Sequence, residues 1–368
     1  MRPLELYIHI PFCVKKCRYC DFLSAPASAE ERQKYVTDLC RKIRSYEGLA
    51  GKYLIRSIFL GGGTPSILDA GQIRDIFDAI RGTFPLGSDA EISIEVNPGT
   101  VDRMKMISYQ RAGINRLSIG LQSVNDQELK MLGRIHTFED FLETYTIARE
   151  EGFHNINVDL MSGIPFQTLT EWEKTLKTVA ELRPEHISAY SLIIEKGTPF
   201  YEKYGEGERA EARRKRELPD EDTERLMYQF TKNILADYGY HRYEISNYAK
   251  EGYECRHNLG YWDRIEYLGI GTGAASLMDN QRWTEGEEPV TLSVENQMEE
   301  YMFLGLRKME GVSKSRFQKS FARKIEEIYG KVLIDMYAKK LLEESGDYIR
   351  LTERGIDVSN YVMSEFLF

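Results

Sequence analysis

Short apolar runs alternate along this chain with longer stretches in which apolar residues recur every three or four positions. Segments 4–10, 54–60, 90–96, 115–119, 155–161 and 185–192 have the length and composition of strands. Between them, 29–46, 69–83, 100–111, 138–151 and 170–181 carry helical spacing, as in Ile73, Ile76, Phe77 and Ile80. Six strands separated by helices predict an α/β fold. Its parallel sheet would have right-handed crossovers and be either an open doubly wound sheet, a barrel or a part-barrel.

After residue 192 the regularity breaks. Residues 195–219, rich in charge and glycine, read as an exposed excursion, and Pro219 and Gly239 bracket a helix over 220–238. Residues 240–283 are aromatic and irregular. From about residue 293 helical spacing returns, and 348–352 reads as a short strand before a last helix. This ending resembles a small winged-helix-like domain, but without the basic face that DNA recognition needs. The expected divisions are 1–194, 195–292 and 293–368.

The 368 residues include 42% hydrophobic and 29% charged side chains, ordinary for a globular protein with a sizeable core. A formal charge of −9 gives no bulk attraction to nucleic acid or to an acidic membrane surface. No segment has the length and apolarity of a signal peptide or a membrane span. With only five cysteines, three of them clustered, a reducing compartment and a cytoplasmic location are expected.

Polar or glycine-rich features recur where the predicted strands end. The cysteine loop follows the first strand, Gly61-Gly62-Gly63-Thr64-Pro65 the second and Gln122 the fourth, while Glu95 and Asp159 lie at the ends of the third and fifth. Each alone reads equally as a helix cap or a turn. Together they mark one site at the carboxyl end of the sheet, where barrels and open α/β sheets place their chemistry.

Cys13, Cys17 and Cys20 lie on one short loop and suit a soft metal centre. Three thiolates on a 4Fe-4S cube leave one iron open to a ligand. A structural zinc site is the alternative, but it usually needs a second pair of ligands. Cys40 stands alone in a helical pattern and Cys255 alone far downstream.

The CxxxCxxC spacing, with Tyr19 just before the last cysteine, resembles the signature of the radical S-adenosylmethionine (SAM) superfamily. Further segments narrow the resemblance: residues 7–13, 61–65, Glu95-Val96-Asn97-Pro98, Ser118-Ile119-Gly120-Leu121-Gln122-Ser123 and 159–165. They are similar to the family of oxygen-independent coproporphyrinogen III oxidases and their heme-chaperone paralogues. The resemblance implies a six-stranded (β/α) part-barrel with a small winged-helix-like C-terminal domain. It also implies that Gly62, Gly63 and Thr64 hold the methionine end of SAM, that Tyr7 and Tyr19 lie beside the cofactor, and that Glu95, Gln122, Arg134 and Asp159 complete its contacts.

Two features separate the branches. The oxidases carry a further cysteine where this chain has Phe22, and an arm ahead of the first strand, which here begins within a few residues of Met1. The HNxxYW pattern from His257 to Trp262 resembles the heme-chaperone motif, which makes His257 a candidate heme-binding residue. A hydrogen-bonded histidine in an aromatic subcore is the alternative. Cys255 is open to two readings, a small buried residue or a second heme ligand.

The resemblance therefore implies a chaperone holding heme, a 4Fe-4S cluster and SAM. Its expected partners are a low-potential electron donor and a heme-acceptor protein, with respiratory proteins among the candidates. Coproporphyrinogen III oxidation is the alternative activity, and a winged-helix regulator a third. Gly269-x-Gly271-x-x-Ala274 matches a dinucleotide fingerprint, but lacks a surrounding βαβ unit and reads as a tight turn near the barrel mouth.

Overall fold

A computed structural model describes residues 1–368. Six parallel strands form its centre: β1 (Arg2–Ile10), β2 (Tyr53–Gly62), β3 (Leu86–Val96), β4 (Arg116–Gln122), β5 (Ile156–Ser162) and β6 (His186–Ser191). Helices α1 (Ala29–Arg44), α2 (Ala70–Thr83), α3 (Arg103–Arg111), α4 (Asp126–Leu132), α5 (Phe138–Glu150) and α6 (Leu169–Glu181) lie between them. Capping boxes at Ser28, Asp69, Thr137 and Thr168 fix where α1, α2, α5 and α6 begin, because each side chain satisfies an N–H that the helix leaves free.

Strand alternation separates two environments. Leu4, Leu6, Ile8 and Ile10 join Ile73, Ile76, Phe77 and Ile80 in the main hydrophobic core of 51 residues. The intervening positions of the same strands are polar yet buried, including Glu5 and His9 on β1, Ser57 on β2, Glu91 on β3, and Arg116 and Ser118 on β4. They form the inner layer of the sheet.

The chain after β6 is more ordered than its composition suggests. Residues 195–219 contain α7 (Pro199–Tyr204) and α8 (Glu208–Glu217). Phe200 and Tyr204 pack with Leu132, Met161 and Ile164, while buried Glu217 meets Lys203 at 2.7 Å and Arg216 at 2.6 Å. The charge run is thus the outer side of a small packed unit. Helix α9 (Glu221–Asp237) follows, capped by Asp220.

The aromatic region also differs from expectation. It contains β7 (His241–Arg242), β8 (Asn247–Ala249), α10 (Arg256–Trp262), β9 (Tyr267–Ile270), β10 (Ala275–Met278) and β11 (Gln281–Thr284), with β12 (Val290–Thr291) just beyond. Strand β9 pairs parallel to β1 and β8 antiparallel to β6. The six predicted strands are therefore the middle of a twelve-stranded sheet, ordered β12-β11-β10-β9-β1-β2-β3-β4-β5-β6-β8-β7. The added strands are two to four residues long, too short for an alternation pattern to register. Of the dinucleotide-like positions, Gly269 lies in β9, and Gly271 and Ala274 lie in the β9–β10 turn. Gly271 has φ +112°, and a Cβ there would sit 2.7 Å from the His9 carbonyl oxygen.

The last segment has a separate core of 17 residues. It comprises α11 (Val294–Gly305), β13 (Val312–Ser313), α12 (Lys314–Phe321), α13 (Ile325–Ala338), β14 (Leu342–Ser345), β15 (Tyr348–Leu351), α14 (Glu353–Asp357) and α15 (Ser359–Ser364). Its strands form their own sheet in the order β13-β15-β14. No helix in the molecule is long and apolar enough to cross a membrane.

Candidate functional site

The cysteine loop leaves β1 and is anchored at both ends. Cys13 N–H donates to the Ala25 carbonyl at 3.1 Å, and Arg18 N–H to that of Leu132 at 2.9 Å. Cys13 is buried, Cys17 and Cys20 are partly exposed, and all three are free thiols. No three His, Cys, Asp or Glu side chains anywhere are gathered tightly enough for a single ion. The three thiols instead border a cleft of about 140 Å³ with Gly62, Gly63, Thr64, Asn97, Gln122 and Arg134. Three soft donors around a cleft, with no fourth beside them, fit a cluster that keeps one iron open.

The glycine run does structural work here. A Cβ on Gly63 would lie 2.6 Å from the Phe12 carbonyl oxygen, and one on Gly62 2.6 Å from the His9 ring. These glycines let the end of β2 press against the base of the cysteine loop. Gly62 N–H donates to Glu95 Oε2 at 3.1 Å. Burial, reinforced by Asp159, pushes the Glu95 carboxyl up to about 8 against the effect of that bond, so it is largely protonated at neutral pH.

Arg134 and Gln122 mark the cleft as a polar ligand site. Arg134 Nη2 donates to Asn97 Oδ1 at 2.8 Å and Nη1 approaches Cys17 Sγ at 3.7 Å, while buried Nε has no partner. Gln122 holds φ at 75°, uncommon for a residue with a side chain and a form of strain that gathers at functional sites. These features fit a ligand carrying a carboxylate and hydroxyls.

The cleft opens into a cavity of about 590 Å³ inside the sheet. Tyr19, Phe22, Glu95, Ser118, Gln122 and Asp159 border both spaces. Phe22 is 60% exposed and stands at the junction. Tyr7, on β1, lines the inner cavity and lies 3.0 Å from His9 Nδ1 through its hydroxyl. Asp159 accepts from Asn157 Nδ2 at 2.8 Å and Ser118 Oγ at 3.2 Å, and burial raises its carboxyl above the usual range.

His257 lies in this same cavity, on α10. It is 1% exposed, with Nδ1 2.8 Å from Ser57 Oγ and Nε2 3.1 Å from the Tyr261 hydroxyl. Burial, and then the Arg116 charge, drive its pKa down to about 3, so the ring is neutral. The ring stacks on Phe59, with centroids 5.3 Å apart. Neutrality suits iron ligation, but neither nitrogen presents a free lone pair. Cys255 is buried with its thiol 3.5 Å from Glu91 Oε1, and burial pushes it up to about 12.

The spacing of α10 follows from its seat. Gly260 is the point of contact with β1, since a Cβ there would lie 1.8 Å from Glu5 Oε1. The motif thus packs on strand β1, far from it in sequence.

The floor of the cavity lies outside the residues expected from the sequence. Asn157 Oδ1 contacts His186 Nδ1 at 2.6 Å, whose Nε2 lies 2.8 Å from the Tyr243 hydroxyl, which accepts from Cys255 N–H at 3.2 Å. With Arg116 and Ser188, these groups lie on or beside the polar half of the strand alternation, a signal already present in the sequence.

Comparison with known proteins gives two family matches, the Radical SAM superfamily over residues 7–179 and the HemN C-terminal domain over residues 292–358. The chain is 36% identical to the heme chaperone HemW of Bacillus subtilis, covering 98% of each chain. It is also 36% identical to the heme chaperone HemW of Escherichia coli, covering 99% of this chain and 98% of that one. Among solved structures, the coproporphyrinogen III oxidase HemN from Escherichia coli superposes with a TM-score of 0.85 at 24% identity, over 99% of this chain and 90% of that one. That likeness is one of fold. A radical SAM domain implies a 4Fe-4S cluster and SAM.

Proposed function

This chain belongs to the heme chaperone HemW family of the radical SAM superfamily, and from that premise we propose that it binds heme and passes it to an acceptor protein. Supporting this reading is one observation above all: neutral His257 borders an aromatic-walled cavity contiguous with the cysteine cleft. A flat macrocycle suits such walls.

In this reading Cys13, Cys17 and Cys20 hold the cluster, and Gly62, Gly63, Thr64, Gln122 and Arg134 take the methionine end of SAM. Tyr7, Tyr19, Glu95 and Asp159 line the space left for the rest of the cofactor. A reduced cluster supplies the electron that can cleave SAM, which makes a low-potential donor a required partner. Arg134 positions the loop through Cys17 and offers its unpaired Nε–H to a carboxylate. His257 binds heme once Tyr261 releases Nε2. The reading assigns residues 1–194 to cluster and SAM, 195–292 to heme and 293–368 to a winged-helix-like unit, in the cytoplasm.

One observation favours a second reading, a radical enzyme of the coproporphyrinogen oxidase type. The cavity adjoins the cleft, so a substrate in it would reach the SAM site. Titrating heme into wild type and His257→Ala tests the first reading. Saturable binding by wild type that weakens in the variant supports it, and no saturable binding by wild type overturns it.

A further inference from the structure

Arg116 opens β4 at the floor of the inner cavity and is 2% exposed. Its Nε has no hydrogen-bond partner, and its guanidinium takes part in no ion pair. Glu91 and Asp159 lie close enough to favour its charge, yet neither reaches ion-pair distance, so its N–H donors are left for a ligand in the cavity.

The acids nearest to it are committed elsewhere. Glu91 accepts the backbone N–H groups of Arg256 and His257, and Asp159 accepts from Ser118 and Asn157. Two further buried acids of the inner layer, Glu5 and Glu95, are pushed by burial up to about 9 and about 8, and so offer little negative charge at neutral pH. His186 and His257 are held neutral by burial and by Arg116 itself. Tyr7, Phe59, Tyr190, Tyr261 and Tyr267 wall the space above the guanidinium.

We propose that the inner cavity takes an organic carboxylate with a flat unsaturated body, whose carboxylate pairs with Arg116. An arginine fork matches a carboxylate through two parallel N–H donors. The carboxylate has two sources, a propionate of bound heme or a separate aromatic acid. The site itself stands whether or not the heme reading holds.

The test uses full-length protein reconstituted anaerobically with cluster and SAM, titrated with cinnamate, cinnamamide, heme and heme dimethyl ester. Wild type is expected to prefer at least one acid over its neutral counterpart by tenfold or more. Arg116→Gln should abolish that preference while leaving iron content and SAM affinity unchanged. Preference confined to heme over its ester identifies the propionate as the source; preference for cinnamate identifies a separate acid. Should Arg116→Gln fail to fold, Arg116→Lys, which keeps the charge but loses the two-donor fork, must reduce the acid preference severalfold. Equal binding of acid and neutral forms by wild type, or an acid preference unchanged in the variant that folds, overturns the proposal.

Discussion

Glu91 and His257 are joined through the main chain: Glu91 Oε1 accepts the His257 N–H at 3.1 Å, while Oε2 accepts that of Arg256 at 3.1 Å. Helix α10 has no side-chain cap of its own, so an acid on β3 caps it across the cavity floor. The strand thereby fixes where the His257 ring sits. Glu91→Ala should cost about 0.5–2 kcal/mol, the usual worth of a helix cap. Thermal unfolding checks this, and weaker heme binding should accompany the loss.

Gly260→Ala should be more damaging than its size suggests. The added methyl meets Glu5 Oε1 at 1.8 Å and Cδ at 2.2 Å, and both partners are buried. Either α10 lifts from β1 or Glu5 leaves its pocket, at about 1–3 kcal/mol as for overpacked cores. Denaturant unfolding of variant and wild type measures the difference. Gly252→Ala in the preceding loop has open space, and tests only its left-handed backbone.

The sequence makes the six central strands and their five long helices legible because each repeats its apolar period over enough residues. The cleft is legible too: Cys13, Cys17, Cys20, Gly62, Gly63, Thr64, Gln122 and Arg134 come together at the strand ends. The seat of His257 is not legible in the same way. It depends on Ser57, Glu91 and Glu5, contacts between 166 and more than 200 residues apart that no local pattern reports. Strands β7 to β12 escape notice because runs of two to four residues carry no period. The packing of α7 and α8 is hidden by their charge, since only Phe200, Tyr204 and a few neighbours turn inward.

Tyr261→Phe should strengthen heme binding if His257 Nε2 is the ligand. The hydroxyl 3.1 Å away competes for the lone pair, and removing it saves about 0.5–1.5 kcal/mol, a roughly two- to tenfold gain in affinity. Heme titration followed by absorbance and electron paramagnetic resonance would read both affinity and ligand set. Unchanged spectra and affinity would assign the iron ligand elsewhere.

Stability should fall at alkaline pH in a way that Glu5→Gln suppresses. Burial, with repulsion from Glu91 and Asp263, raises the Glu5 carboxyl from 4.5 to about 9. A raised acid favours the folded state fully below its unfolded value, and that contribution is lost as pH rises through about 9. Denaturant midpoints between pH 7 and 9.5 should therefore drop more steeply for wild type than for Glu5→Gln. Parallel slopes would mean that Glu5 ionises in the folded protein as it does in water.

Heme transfer is the role proposed for the cysteine cleft and the aromatic cavity together. The most direct measurement is anaerobic reconstitution with cluster and SAM, followed in one sample by heme titration and assay with coproporphyrinogen III. The account predicts saturable heme binding that His257→Ala weakens, with no porphyrin product and no substrate-dependent deoxyadenosine. Porphyrin formation without saturable heme binding would contradict it.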